Sequence, residues 1–176
     1  MTEELLHCQK LEDVPSCIHS TFRYLDGFSI IAFCLDKNWI SKKPGDRKLD
    51  STYCFMERYP GLDARIFPNT ETTFLSSPLA IPIPEDVTIP NAPENSSDFS
   101  YLPGMPFPQS NARAPKETSL YYYVPLHFNG TAFGYALIGY PDSFVLPDCC
   151  SAWIRNICMV LESLRIRYTL TKKEEE

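Results

Sequence analysis

Leu120–Tyr140 reads LYYYVPLHFNGTAFGYALIGY, two β-forming runs that meet at Asn129-Gly130. Asn-Gly is the dipeptide a two-residue type I′ turn prefers, because both central residues take positive φ there. The stretch is therefore expected to be one antiparallel hairpin closed by Phe128 and Thr131. That closure sets a register in which Leu126 faces Phe133, Val124 faces Tyr135 and Tyr122 faces Leu137, a face bulky on both strands. On the other face His127 meets Ala132, Pro125 meets Gly134 and Tyr123 meets Ala136. Large groups opposite small ones leave a shallow trough, so Tyr121, Tyr123, His127, Ala132, Gly134 and Ala136 are candidate lining for a small-molecule pocket. Cross-strand packing is the competing role for the tyrosines, and close contact with a helix the competing role for the small residues. Pro125 stands at a non-hydrogen-bonded position of this register. Its missing N–H points away from the hairpin partner, as at a bulge or an edge where the other neighbouring strand leaves and a ligand can meet backbone.

Beyond the hairpin, Pro147-Asp148 opens a helix in which Ile154, Ile157, Leu161, Leu164 and Tyr168 recur at alternating three- and four-residue steps. This is a heptad seam of the kind that joins two helices. Trp153, Cys158 and Val160 flank the seam and are placed to cover the sheet. The end of the chain, TLTKKEEE, lacks Gly and Pro, so the helix is expected to run on as a connector.

Before the hairpin, Asp13-Val14-Pro15 marks a helix start, with Pro in the first turn where its missing N–H costs nothing. The helix is expected to reach Leu25, with Cys17, Ile18, Thr21, Phe22 and Leu25 on one stripe and Asp26-Gly27 as its stop. Phe28–Leu35, FSIIAFCL, is apolar on both alternating sets, as a central strand covered on both faces is. Lys42, Lys43, Arg47 and Lys48, interrupted by Pro44-Gly45-Asp46, read as a solvated loop. Ser51–Met56 and Ala64–Phe67 are shorter strand candidates for a second hairpin.

From Pro68 to Ser119 the character changes: ten of the sixteen prolines lie here and Gly104 is the only glycine. Six acids against Arg113 and Lys116 give this segment −4 of the net −6. Anchors such as Leu79, Ile81, Ile83 and Val87 are out of place in a solvated tail. A stiff wrap or lid packed on the body is expected instead.

A chain of 176 residues, 44% apolar, fits one globular domain over residues 1–176, with an N-terminal helical segment to residue 26 and the exit helix from 148. No apolar run approaches the roughly 18 residues of a membrane helix, and the acidic N-terminus is no secretory signal, so a cytoplasmic protein without membrane contact is expected. Net charge −6 speaks against nucleic acid. The seven cysteines are odd in number and lack C-x-x-C spacing, which favours reduced thiols. Cys149-Cys150 at a helix start could form a redox pair, but two small residues under a strand-to-helix turn is the simpler reading. No phosphate-cradling, nucleophile-elbow or metal-ligand spacing occurs among three histidines and seven glycines, so no catalytic residue, metal or cofactor is expected.

Two short runs carry a resemblance: Pro125–Phe128 (PLHF), a turn and Phe133–Ala136 (FGYA), then Trp153-x-Arg155-Asn156 ahead of the heptad helix. With the order helix, central strand, hairpin, long loop, hairpin, exit helix, the chain resembles GAF-like sensor domains of bacterial signalling proteins. In these the domain lies between a periplasmic-binding-protein-like sensor of the LacI type and an output domain, often a GGDEF diguanylate cyclase. The resemblance implies an α/β sandwich: a central antiparallel sheet, both terminal helices on one face and the Pro-rich loop over the other. It implies a non-catalytic regulatory role, an unidentified small-molecule ligand and homodimerisation through the terminal helices. It does not extend to cyclase activity, since no GGDEF sequence is present, or to the Asn-Lys and Phe-x-x-x-Asp-Glu signature of cyclic-nucleotide-binding members. A thiol-dependent reductase like the free methionine sulfoxide reductases, which share the fold, and a ligand-free dimerisation scaffold are the alternatives.

Overall fold

Among the described residues, six strands and two helices follow one another as α1 (Val14–Ser20), β1 (Ile30–Asp36), β2 (Thr52–Arg58), β3 (Leu79–Pro82), β4 (Phe99–Ser100), β5 (Leu120–Phe128), β6 (Thr131–Gly139) and α2 (Asp148–Glu174). This computed structural model describes residues 7–21, 30–58, 64–67, 78–87, 99–100, 120–139 and 148–174. The strands form one sheet in the order β3-β5-β6-β1-β2-β4, every pair antiparallel. The class is α+β, as expected. α1 and α2 share one core with the sheet face that carries Ile31, Phe33, Val124, Leu126 and Ile138. The opposite face, with Ala32, Cys34, Tyr121, Tyr123 and Tyr135, packs with Ile81 of β3 and is covered by Ile66, Phe67, Ile83 and Val87.

β1 sits between β6 and β2, and Ile31–Leu35 are all buried, which explains why both alternating sets of this strand are apolar. At the opening of α1, a turn of 3-10 helix over Leu11–Asp13 leads straight in. Asp13 does not cap α1 through its side chain; the carboxylate instead accepts from the Lys10 N–H at 3.2 Å. The expected continuation through Phe22 and Leu25, the Asp26-Gly27 stop and Pro147 lie outside the described residues. The same holds for most of the Pro68–Ser119 segment.

The β5–β6 hairpin turns as expected, with φ of 46° at Asn129 and 80° at Gly130. Phe128 pairs with Thr131 and His127 with Ala132, but Leu126 then pairs with Gly134, leaving Phe133 as the extra residue of a β-bulge. Every later pair moves by one residue: Pro125 faces Tyr135, Val124 faces Ala136, Tyr123 faces Leu137 and Tyr122 faces Ile138. Gly134 allows this, because a Cβ there would run into the carbonyl of Cys34 and stand 2.9 Å from the Leu35 Cα. The bulge sends Phe133 into the helix-side core, where Trp39 meets it edge-on with ring centroids 6.1 Å apart. It also abolishes the expected trough: Ala132 lies on the face away from the helices and Ala136 on the face beneath α2. A second bulge, at Phe55 of β2, likewise turns Phe55 and Met56 into the helix-side core.

Three further expectations change. Ala64–Ile66 is a 3-10 turn rather than a strand; Ile66 plugs the core while its carbonyl accepts from the Tyr121 hydroxyl. β4 takes the place beside β2 that this segment was expected to fill. From the Pro-rich stretch, Leu79–Pro82 pairs with Leu120–Tyr123 as an edge strand, a position that tolerates Pro82. The basic loop is only partly solvated, since Trp39, Lys42 and Leu49 are buried while Lys43, Arg47 and Lys48 are exposed. The loop docks on the hairpin turn: Gly45 N–H donates to Thr131 Oγ1 at 2.9 Å and Ala132 N–H to the Asp46 carbonyl at 2.8 Å.

Candidate functional site

β3 accompanies β5 only as far as Tyr123, so Val124–Phe128 continue with no strand on their outer side among the described residues. Pro125 falls just past the last β3 pair, where no neighbouring strand asks for an N–H. Along this open edge lies a groove of about 460 Å³. Val124, Pro125, His127, Phe128 and Asn129 form one wall, and Pro78 closes an end. The other wall is the stripe Ser151, Ile154, Arg155 and Cys158 of α2, whose spacing of three, four and seven places them on one helix face. The backbone of His127 hydrogen-bonds the Cys158 thiol, and burial pushes that thiol up to about 12. The walls are therefore joined at Cys158.

A buried polar chain ties the further half of α2 to the loop after β1. Arg165 donates from Nε and Nη2 to both carboxylate oxygens of Glu162, at 2.7 and 2.8 Å, and from Nη1 to the Lys42 carbonyl at 2.8 Å. The ammonium of Lys42 stands 3.5 Å from Asp36, and both side chains are almost wholly buried. It also donates to the Lys48 carbonyl. Asp36 in turn accepts from the N–H groups of Asn38 and Asp50, each at 2.8 Å. Every polar member of this chain has a partner, which is the condition under which buried charges hold a structure rather than weaken it. At the near half of α2, Trp153 Nε1 donates to the buried Thr21 hydroxyl at 2.5 Å, joining α2 to the end of α1.

Of the six residues expected to line a pocket, His127 alone reaches the groove. Tyr121, Tyr123 and Ala132 are packed in the core away from the helices, where Tyr123 stacks on Tyr135 with centroids 5.0 Å apart. Ala136 lies under α2, and Gly134 is pressed against β1. Ile154, Ile157, Leu161 and Leu164 of the heptad seam are buried against the sheet, whereas Tyr168 is exposed. Ser151, Arg155, Glu162, Arg165 and Lys42 were given no site role from the sequence. The 151, 154, 155, 158 stripe has helical spacing in the sequence; nothing there marks the contact between Arg165 and Lys42, 123 residues apart.

All seven cysteines are free thiols. In the vicinal pair, Cys149 is exposed and Cys150 is buried. Among the described residues, no three His, Cys, Asp or Glu side chains gather closely enough to hold a metal ion. Nor is any described helix long and apolar enough to cross a membrane. Compared with family models, with curated proteins and with solved structures, the chain finds no match.

Proposed function

We propose that the chain is a non-catalytic sensory and relay domain of the GAF-like kind, working within a bacterial signalling protein, with a GGDEF-type diguanylate cyclase as the output. The observation that carries this reading is the double attachment of α2. Its first half walls the groove beside the open edge of β5, and its second half is held to the loop after β1 through Arg165 and Lys42. Beyond Arg165 every described residue of α2 is exposed or half-exposed, so the helix leaves the body there. A molecule in the groove touches both the sheet and the helix, and shifts the helix to the extent that it favours one packing over another. The element order and the placing of both helices on one face support the GAF-like reading.

Dimerisation belongs to the same reading, with a changed seam. Since Ile154, Ile157, Leu161 and Leu164 are packed on the sheet, α2 offers a second copy Met159, Ile166 and Leu170, which are 48%, 45% and 56% exposed. A thermal-shift panel of small metabolites, followed by amide exchange on α2, tests the sensory role. A compound that raises the melting temperature and alters exchange over 166–174 supports it. If no compound in the panel does both, sensing is discarded in favour of a ligand-free scaffold. The reductase alternative predicts turnover of free methionine sulfoxide with a thiol reductant, lost on replacing Cys149.

A further inference from the structure

The PLHF and W-x-R-N runs, far apart in sequence, meet in the groove: Pro125, His127 and Phe128 line it from β5 and Arg155 from α2. Pro78, Val124, Pro125, Phe128 and Ile154 make its surface largely apolar. Arg155 is exposed, and among the described residues no carboxylate pairs with it. Among the described residues no acid lines the groove, and Asp148 at the start of the helix is not part of it. Ser151 stands at the end of the opening turn of α2, where the helix dipole favours negative charge. An exposed guanidinium with no carboxylate beside it among the described residues, at the rim of an apolar groove, is free to meet an anion. Its planar donor pair suits a carboxylate better than a point anion. A volume of about 460 Å³ suits a small molecule.

We infer that the groove binds a small organic carboxylate, its carboxylate on Arg155 with the Ser151 hydroxyl as a second donor, and its apolar body on Val124, Pro125, Phe128 and Ile154. The consequence for signalling rests on the relay reading above: the ligand clamps the first half of α2 to the β5 edge. Binding itself is independent of that reading.

The probes are phenylacetate, benzoate and hexanoate, with phenylacetamide as the neutral control of equal shape, titrated into the isotope-labelled chain while its amide resonances are followed. At least one carboxylate is expected to give saturable shifts confined to residues 124–130 and 151–158. For phenylacetamide and for Arg155→Gln the affinity falls about ten-fold or more, and Arg155→Lys retains part of it. Because Arg155 is exposed, Arg155→Gln keeps the wild-type melting temperature, which separates lost binding from lost fold. The inference is overturned by any of three results: no saturable shift from the three acids at about 10 mM, equal binding of acid and amide, or unchanged affinity in Arg155→Gln. Binding in the groove without altered exchange over 166–174 keeps the site and sinks the relay.

Discussion

The two faces of the sheet are built from different materials. The helix side is apolar and aromatic: Phe33 packs edge-on against Trp153 at 5.4 Å and tilted against Phe55 at 5.9 Å, and both bulges add bulk to it. The other side stacks tyrosines beside Cys34 under a cover of short, irregular segments. A flat hairpin would have put Ala132, Gly134 and Ala136 on one face. The bulge at Phe133 divides Ala132 from Ala136, so neither face keeps a trough, and the groove opens instead at the sheet edge where β3 stops. Cavities in such a sheet arise where pairing ends, more readily than where side chains are small.

The contrast breaks most severely at Leu161, which is fully buried on the helix side. Leu161→Glu is expected to remove about 4 kcal/mol or more, by placing a carboxylate in an apolar core, and to abolish the cooperative melt. A folded Leu161→Glu protein means that α2 does not pack on the sheet. Next comes Lys42→Ala, which leaves Asp36 buried without its cation and is expected to cost about 3 kcal/mol by chemical denaturation. A cost below about 1 kcal/mol places the pair in water.

The tyrosine face responds to alkali. Burial first, and the neighbouring Cys34 second, push the Tyr123 hydroxyl from its usual 10 up to about 12, and Tyr135 moves in the same direction. The folded state therefore keeps protons that the unfolded chain gives up. Stability is complete below about pH 10 and is lost as the pH rises from there towards about 12. Denaturation midpoints measured across that interval should fall, and a flat profile contradicts the burial of these rings.

On the helix side the Tyr122 hydroxyl is buried without a hydrogen-bond partner among the described residues. Tyr122→Phe removes that unpaired group and is expected to raise stability by up to about 1 kcal/mol; a loss of that size means the hydroxyl has a partner. The smallest effect belongs outside both faces. Ile166→Glu should change stability by less than about 0.5 kcal/mol. If the chain dimerises through the outer side of α2, the same substitution lowers the solution mass from two chains to one.

The hairpin, the central strand, the exit helix and the α+β class were legible because each is written in local pattern: Asn129-Gly130, an unbroken apolar run, and a heptad. Register was legible only up to Phe133. Whether two residues share one partner depends on how closely Gly134 approaches Cys34 in another strand, and no local pattern records that distance. The heptad was real, but its period says only that one stripe is apolar; the sheet, rather than a second helix, covers Ile154, Ile157, Leu161 and Leu164. The missing N–H of Pro125 pointed to a bulge or an edge, and β3 stops two residues short of it. Lys42 was misread because its loop is polar in composition, and burial there follows from Asp36 and Arg165, distant or plain in the sequence.

The attachment of α2 to the sheet links the groove to the end of the helix. Amide hydrogen exchange along α2 tests it most directly, comparing the wild type with the double variant Asp36→Asn, Lys42→Met, which removes both charges so that neither is left buried alone. Faster exchange is expected from Arg165 to Glu174 with protection kept over 150–158, because the loop no longer presents the Lys42 carbonyl to Arg165. Unchanged exchange beyond Arg165 in a variant whose loop has loosened would contradict it.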